Sequence, residues 1–336
     1  MKNHNQAENY FNLSPNDQNE ILQAAFQALN KFPQILEKDI WICWTLKKLF
    51  SMPNAHPMAF KGGTSLSKVF NIIERFSEDV DITIDYKSFN TDDPFDPNTS
   101  NTKRKKISDQ LKLLMKDYVI NEIVPYLKSC IQNEFTNLIE IEVSDDGEKL
   151  NIHYHSVCSH KMPYIKPYVF IEFGARNVTE PNAIHDVIPD IASHVKGLQL
   201  PYAKVNVLNP ERTFWEKVTL IHVECNRGKF KDNAQRLSRH WYDLIMIYES
   251  KFGQIAMQNK ALLGAVVNHK KAFFNESKAN YDLCLEGGFN LIPTGGQLEQ
   301  LQLDYEKMMD SNMFYGIPIP FSEIISTMRS LSQALS

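Results

Sequence analysis

The sequence predicts an α+β fold: a small mixed sheet with helices, followed by a mainly helical C-terminal region. Three observations carry this. Short apolar or alternating runs at 58–60, 79–85, 139–143, 150–155, 167–176 and 205–208 have strand length and are bounded by turn residues. Apolar residues at helical spacing surround them, as in 66, 69, 70 and 73. Beyond residue 209 the pattern is helical almost to the end. The expected division is therefore an N-terminal domain at 1–208 and a helical domain at 209–336 that completes the functional site.

Residues 1–12 read as a tail. Ser14-Pro15-Asn16-Asp17 is a helix start, with a capping hydroxyl, proline in the first turn and an acid near the dipole's positive end. Helices at 15–30 and 34–51 follow. The second opens with Glu37-Lys38-Asp39 and carries Ile40, Trp41, Trp44 and Leu46, with both tryptophans read as core.

Met58-Ala59-Phe60 is a strand, Gly62-Gly63 a turn open to positive φ, and Ser65 to Ile73 a helix. A strand, a glycine turn and a helix N-terminus together form an anion-binding arrangement, because free N–H groups and the helix dipole face the ligand. Lys61 and Lys68 add positive charge. The Walker spacing is missing. Next comes Arg75-Phe76-Ser77-Glu78-Asp79-Val80-Asp81-Ile82-Thr83-Ile84-Asp85. Residues two apart on a strand share a face, so Asp79, Asp81, Thr83 and Asp85 face one way and Val80, Ile82 and Ile84 the core. Paired carboxylates repel unless a cation sits between them. Mg²⁺ is suited to that position, since it takes one or two carboxylates plus substrate phosphates.

Lys87 to Thr102 is polar and aperiodic, a loop. Lys103-Arg104-Lys105-Lys106 starts a helix running to about Asn133; cations there oppose the dipole and could serve RNA phosphates. Residues 139–143 and 150–155 form a hairpin around Asp145-Asp146-Gly147. Pro167 to Arg176 is a central strand with one acid, Glu172, among apolar neighbours. His153, His155, Cys158 and His160 lack the spacing of a structural zinc site, and alternating histidines on a hairpin face account for the first two. Residues 178–201 are loop-rich. Asn209 onward is a helix whose core face carries 214, 218 and 221, with Lys217 beside it. A basic loop at 226–231 precedes Arg239-His240-Trp241-Tyr242-Asp243. Helices at 254–276, 297–310 and 321–335 complete the chain.

Composition is that of an ordinary globular protein, with 43% hydrophobic and 23% charged residues. A net charge of −4 confines any nucleic-acid surface to a local patch. Five scattered cysteines without C-x-x-C spacing fit reduced thiols in a cytoplasm. No secretory leader is expected from Met1 to Asn12, and no apolar run approaches membrane-spanning length.

Lys61-Gly62-Gly63-Thr64-Ser65-Leu66, followed by Arg75-Phe76-Ser77-Glu78-Asp79-Val80-Asp81, resembles the AbiEii/AbiGii (MenT-like) abortive-infection nucleotidyltransferase toxins of the DNA polymerase β-like superfamily. That superfamily has a Gly-Gly or Gly-Ser turn and then Asp-x-Asp; here fifteen residues separate Gly63 from Asp79. The resemblance covers about 37–245. It implies a polymerase β-like core and Mg²⁺-dependent transfer of NMP from an NTP to an RNA acceptor, the tRNA 3′ end above all. It also implies a cytoplasmic toxin with a cognate antitoxin and no membrane association. It implies metal binding by Asp79, Asp81 and a third acid on a neighbouring strand, Glu172, with Glu142 as the alternative and a salt bridge to Arg176 as Glu172's competing use. Lys61, Gly62, Gly63, Thr64, Ser65 and Lys68 would hold phosphates. The Glu216-Lys217 pair and the Arg239 to Asp243 element match the rest of the family site: Lys217 would bind the triphosphate, and Asp243 would order Lys217 or the metal. Two other readings stay open, a nucleotide-binding module without catalysis and transfer to a small molecule such as an antibiotic.

Overall fold

The computed structural model describes residues 8–89, 91–96, 98–159, 165–230, 234–311 and 313–336 of the chain. His160 of the histidine cluster, Lys231 of the basic loop, Asn90 and Pro97 of the polar loop and the first seven residues of the tail lie outside the described residues. Strands are β1 (Glu8–Asn9), β2 (Met58–Lys61), β3 (Val80–Ile84), β4 (Glu140–Val143), β5 (Lys149–His153), β6 (Tyr168–Gly174), β7 (Asn182–Val187), β8 (Leu198–Gln199) and β9 (Ala203–Leu208). Helices are α1 (Pro15–Leu29), α2 (Pro33–Phe50), α3 (Gly62–Lys68), α4 (Asn101–Tyr118), α5 (Val124–Glu134), α6 (Pro210–Asn226) and α7 (Ser238–Glu249). They continue as α8 (Lys251–Gln258), α9 (Lys260–Phe273), α10 (Tyr281–Leu285), α11 (Gly296–Asp310) and α12 (Phe321–Leu335). None of the described helices is long and apolar enough to cross a membrane.

The chain forms two compact units, one of residues 1–64, 77–89 and 111–207, the other of 65–76, 90–110 and 208–336. The first holds a seven-stranded sheet in the order β4-β5-β6-β3-β2-β9-β7. It is mixed, as the sequence predicts: β3 runs parallel to β6 and β2 to β9, while β2–β3, β4–β5 and β5–β6 are antiparallel. Val80, Ile82 and Ile84 are fully buried, on the core face assigned to them. Ser14 caps α1 by accepting from the Asp17 N–H at 3.2 Å. Leu22 and Ala25 of α1 pack with Leu36 and Ile40 of α2, together with Tyr10, Cys158 and Ile191. Trp41 stacks on Tyr154 with ring centres 5.0 Å apart, and the Trp44 indole donates to Glu134 at 2.8 Å, so both tryptophans are core.

Two departures in this unit have local causes. Residues 182–187 form edge strand β7 where a loop is expected. The strand is largely exposed, Ile184 included, so it lacks the alternation that marks a half-buried strand. The helix predicted from 103 to 133 is continuous but contains a π turn at Val119–Ile123, where the Val124 N–H bonds five residues back to the Val119 carbonyl. Pro125 lies just beyond; it has no N–H, and its ring would crowd the carbonyl four residues back in a regular helix.

The second unit is helical. Trp215 of α6 donates to the Ala256 carbonyl at 3.2 Å and Trp241 of α7 to the Leu291 carbonyl at 3.1 Å, tying these helices to α8 and to the segment before α11. The helix expected at 254–276 is two, α8 and α9, because the Asn259 side chain accepts from the Leu262 N–H and restarts the helix. The helix expected at 65–73 is α3, which starts at the glycines and ends at Lys68. Asn71 takes a left-handed φ of 51°, and the Ile72 N–H returns to the Leu66 carbonyl at 2.9 Å. Residues 74–76 pair with 313–315, through Phe76 N–H to Met313 O at 2.6 Å and Tyr315 N–H to Glu74 O at 3.0 Å.

Candidate active site

The sheet brings four charged residues into one row. Lys61 of β2 stands opposite Asp81 of β3, Asp81 beside Glu172 of β6, and Glu172 opposite Lys149 of β5. Directly paired residues project to the same face, so two adjacent carboxylates are flanked by two ammonium groups. Glu172 is exposed and Asp81 half-buried. The apolar neighbours of Glu172 in sequence do not bury it: Ile171 and Phe173 point into the core and Glu172 points away. Arg176, named as its competing partner, pairs with Glu148 at 3.9 Å. Glu142, the alternative third acid, lies on β4, three positions from β3 in the sheet order, and takes hydrogen bonds from Asn151 at 3.1 Å and His153 at 3.2 Å. Asp79 immediately precedes β3 and is half-buried. Thr83 is fully buried, and Asp85 accepts from the Lys87 N–H at 3.1 Å.

Gly62 explains why the turn needs glycine. Its φ is 81°, and a Cβ built on it would lie 1.8 Å from Asp81 Oδ2. The carboxylate thus rests over the glycine α-carbon, and any side chain would displace it. Thr64 and Ser65 are buried, and the Thr64 hydroxyl donates to Ser77 Oγ at 3.0 Å. Lys61 and Lys68 are half-buried.

The second unit contains a buried charge network. Asp243 is inaccessible. It accepts from Arg75 Nε at 2.7 Å and Nη2 at 2.8 Å, and from Lys217 Nζ at 2.8 Å. Burial alone would raise the Asp243 carboxyl, but Arg75 and Lys217 outweigh it and hold the group well below the usual carboxylate range. Burial lowers the Lys217 ammonium against the opposing pull of Asp243. Lys217 Nζ is also 3.3 Å from His240 Nδ1. Desolvation, with the charges of Lys217 and Arg239, pushes His240 far down, so it stays neutral and can accept that bond. Asp243 thus forms an ion pair with Lys217 at 2.8 Å.

Sequence reasoning missed Arg75, Lys149 and His240. The guanidinium of Arg75 meets Asp243 across 168 residues, and no local pattern signals such a pair. Lys149 could have been found by setting the hairpin register against β6. Elsewhere the basic stretches are partly engaged: Lys103 pairs with Asp92 at 3.0 Å, Arg104 donates to the Pro94 carbonyl at 3.0 Å, and Arg227 pairs with Glu276 at 2.7 Å. Cys158 is core and His153 faces Glu142.

Among the described residues no group of three or more His, Cys, Asp or Glu side chains is gathered as a metal cage. The adjacent Asp81 and Glu172 nevertheless fit Mg²⁺, which dehydrates reluctantly and is held by one or two carboxylates plus phosphate oxygens.

The family model for the nucleotidyl transferase AbiEii toxin of a type IV toxin–antitoxin system matches residues 45–327. No curated protein matches in sequence. Among solved structures the chain is similar to MenT4, a nucleotidyltransferase toxin from Mycobacterium tuberculosis H37Rv. Identity is 15%, coverage 94% of this chain and 89% of that one, and the TM-score 0.47.

Proposed function

This chain belongs to the AbiEii nucleotidyltransferase toxin family, and we propose that it transfers a nucleoside monophosphate from an NTP to an RNA acceptor, the 3′ end of tRNA. The acceptor hydroxyl oxygen attacks the α-phosphorus. A new P–O bond forms, the bond to the bridging oxygen of the β-phosphate breaks, and pyrophosphate leaves. The hydroxyl proton passes to a carboxylate, for which Glu172 is the choice. The observation that carries this reading is the Lys61–Asp81–Glu172 row beside the glycine turn. Bound Mg²⁺, held by Asp79, Asp81 and Glu172, would supply neutralisation of charge on the attacking and leaving oxygens.

The protein's own groups do the rest. Backbone N–H groups of Gly62, Gly63, Thr64 and Ser65 hold phosphate oxygens, with Lys61 and Lys68 supplying charge. Thr64 contributes through its backbone, since its hydroxyl is engaged by Ser77. By the family resemblance, Lys217, held by Asp243, would bind the triphosphate. A modified tRNA end would stop translation in the cytoplasm, and a cognate antitoxin would hold the activity in check.

The test is incubation of the protein with Mg²⁺, total tRNA and each of four α-labelled NTPs, with Asp81→Asn as control. Label on tRNA with the wild type alone is expected. Label on a small-molecule acceptor in place of tRNA would refute the RNA assignment. Nucleotide binding without turnover on any acceptor would refute the transfer reaction.

A further inference from the structure

We propose that Lys38 is the positioning residue of the carboxylate row, a buried cation that fixes the starts of both acid-bearing strands. The inference rests on the nucleotidyltransferase reading above. Lys38 rides on α2 and is 1% exposed. Its ammonium forms an ion pair with Glu78, the residue before Asp79, and donates to the Lys166 carbonyl at 3.2 Å. It also stands 5.3 Å from the ring centre of Tyr168, the first residue of β6. One cation thus touches the segment leading into β3, which carries Asp79 and Asp81, and the start of β6, which carries Glu172.

The flanking residues of the motif fix the helix that delivers it. Glu37 accepts from Ser156 Oγ at 2.6 Å and the Val157 N–H at 2.7 Å, and Asp39 accepts from the Asp190 N–H at 2.7 Å. Glu37-Lys38-Asp39 is therefore three anchors, of which the middle one reaches the acids. Two consequences follow from elementary physics. A one-residue slip between β3 and β6 would put Asp81 and Glu172 on opposite faces, and Lys38 pins both strands at their starts against that slip. Glu78, Asp79, Asp81 and Glu172 also repel one another before any metal arrives, and a buried ammonium at the base of the row offsets part of that repulsion.

The test compares the wild type with Lys38→Met, Glu78→Gln and the double variant. Mn²⁺ binding is followed by the electron paramagnetic resonance signal of free Mn²⁺, with a non-hydrolysable NTP present. Urea unfolding gives the folded fraction, and transfer assays give kcat and the metal half-saturation point. Each single variant is expected to raise the Mn²⁺ dissociation constant tenfold or more per folded molecule. The double variant should be no worse than the weaker single, because both act through one contact. Should Lys38→Met fail to fold, Glu78→Gln and the double variant, which leaves no buried charge unpaired, decide the matter. A folded variant that binds Mn²⁺ within twofold of the wild type, with unchanged kcat, would overturn the proposal and assign the pair to stability alone. Tight Mn²⁺ binding by a wild type that transfers no nucleotide, weakened in the variants, would support Lys38 and count against the reaction.

Discussion

Asp243→Asn tests the buried charge network most directly. The change keeps the shape of the side chain and removes the negative charge that Arg75 and Lys217 share. Three charge-assisted contacts of 2.7 to 2.8 Å lose their acceptor charge, and two largely buried cations remain without it. Breaking a buried ion pair costs about 3–5 kcal/mol. Lys217 has one escape, to fold without its proton. At pH 7 that costs about 4–5 kcal/mol, from 1.36 kcal/mol per unit over the gap to the ordinary lysine value near 10.4. The two routes give overlapping ranges, about a fifth or more of a typical domain's stability.

The routes differ in pH dependence. If Lys217 folds neutral, the unfolded chain binds one more proton, so variant stability rises with pH by up to about 1.4 kcal/mol per unit until lysine itself deprotonates. In the wild type the depressed Asp243 carboxyl contributes stability that is complete above its ordinary value near 4 and is lost as pH falls toward its folded value. Urea unfolding at pH 4, 7 and 9 separates these behaviours. A variant within about 1 kcal/mol of the wild type at pH 7, with the same pH slope, would refute the claim that Asp243 balances two buried cations.

The other predictions concern the carboxylate row. Gly62→Ala forces a Cβ to 1.8 Å from Asp81 Oδ2 at a φ of 81°; loss of transfer is expected, with about 1–2 kcal/mol of destabilisation from the left-handed backbone alone. Wild-type activity in that variant would show that Asp81 need not lie where it does. Glu172→Gln should lower kcat by two orders of magnitude or more, within the range for removing an acid–base group, while Glu142→Gln should leave it unchanged; the reverse result would move the third acid to β4. Asp79→Asn and Asp81→Asn should each abolish transfer and growth inhibition with the fold intact by circular dichroism, and full activity in either would exclude the metal role.

Much of the sheet was legible because strands and the glycine turn are written locally. The alternation from 79 to 85 puts valine and isoleucine inside, and the structure agrees except that the acid-bearing face closes over at Thr83. Glu172 was chosen through a family resemblance, and its position beside Asp81 depends on a register that a single strand does not encode. Arg75, four residues before Asp79, stood in plain view, but its partner is far away in sequence, and an arginine in a short connecting segment looks like a surface residue. Lys38 was visible as part of Glu37-Lys38-Asp39, yet amphipathic periodicity gives a charged residue no reason to be inside. Burial of α2 on nearly all sides breaks that expectation, and charges survive there only with dedicated partners.

The π turn at 119–123 sets a phase. Leu111, Met115, Val119, Ile123, Leu127 and Ile131 are all buried and recur at every fourth residue. On a regular helix a four-residue step over-rotates by about 40°, so five steps would carry the row roughly 200° around the axis. One extra residue in the π turn winds it back by about 100°, leaving a band about as wide as one apolar face. The helix is therefore matched to its core by count as well as by composition. Losing a single residue between 119 and 123 would relax the π turn to regular helix and leave Leu111 and Met115 in the same phase with Leu127 and Ile131, so this segment tolerates a deletion that elsewhere in the helix would turn one half of the row by about 100° against the other.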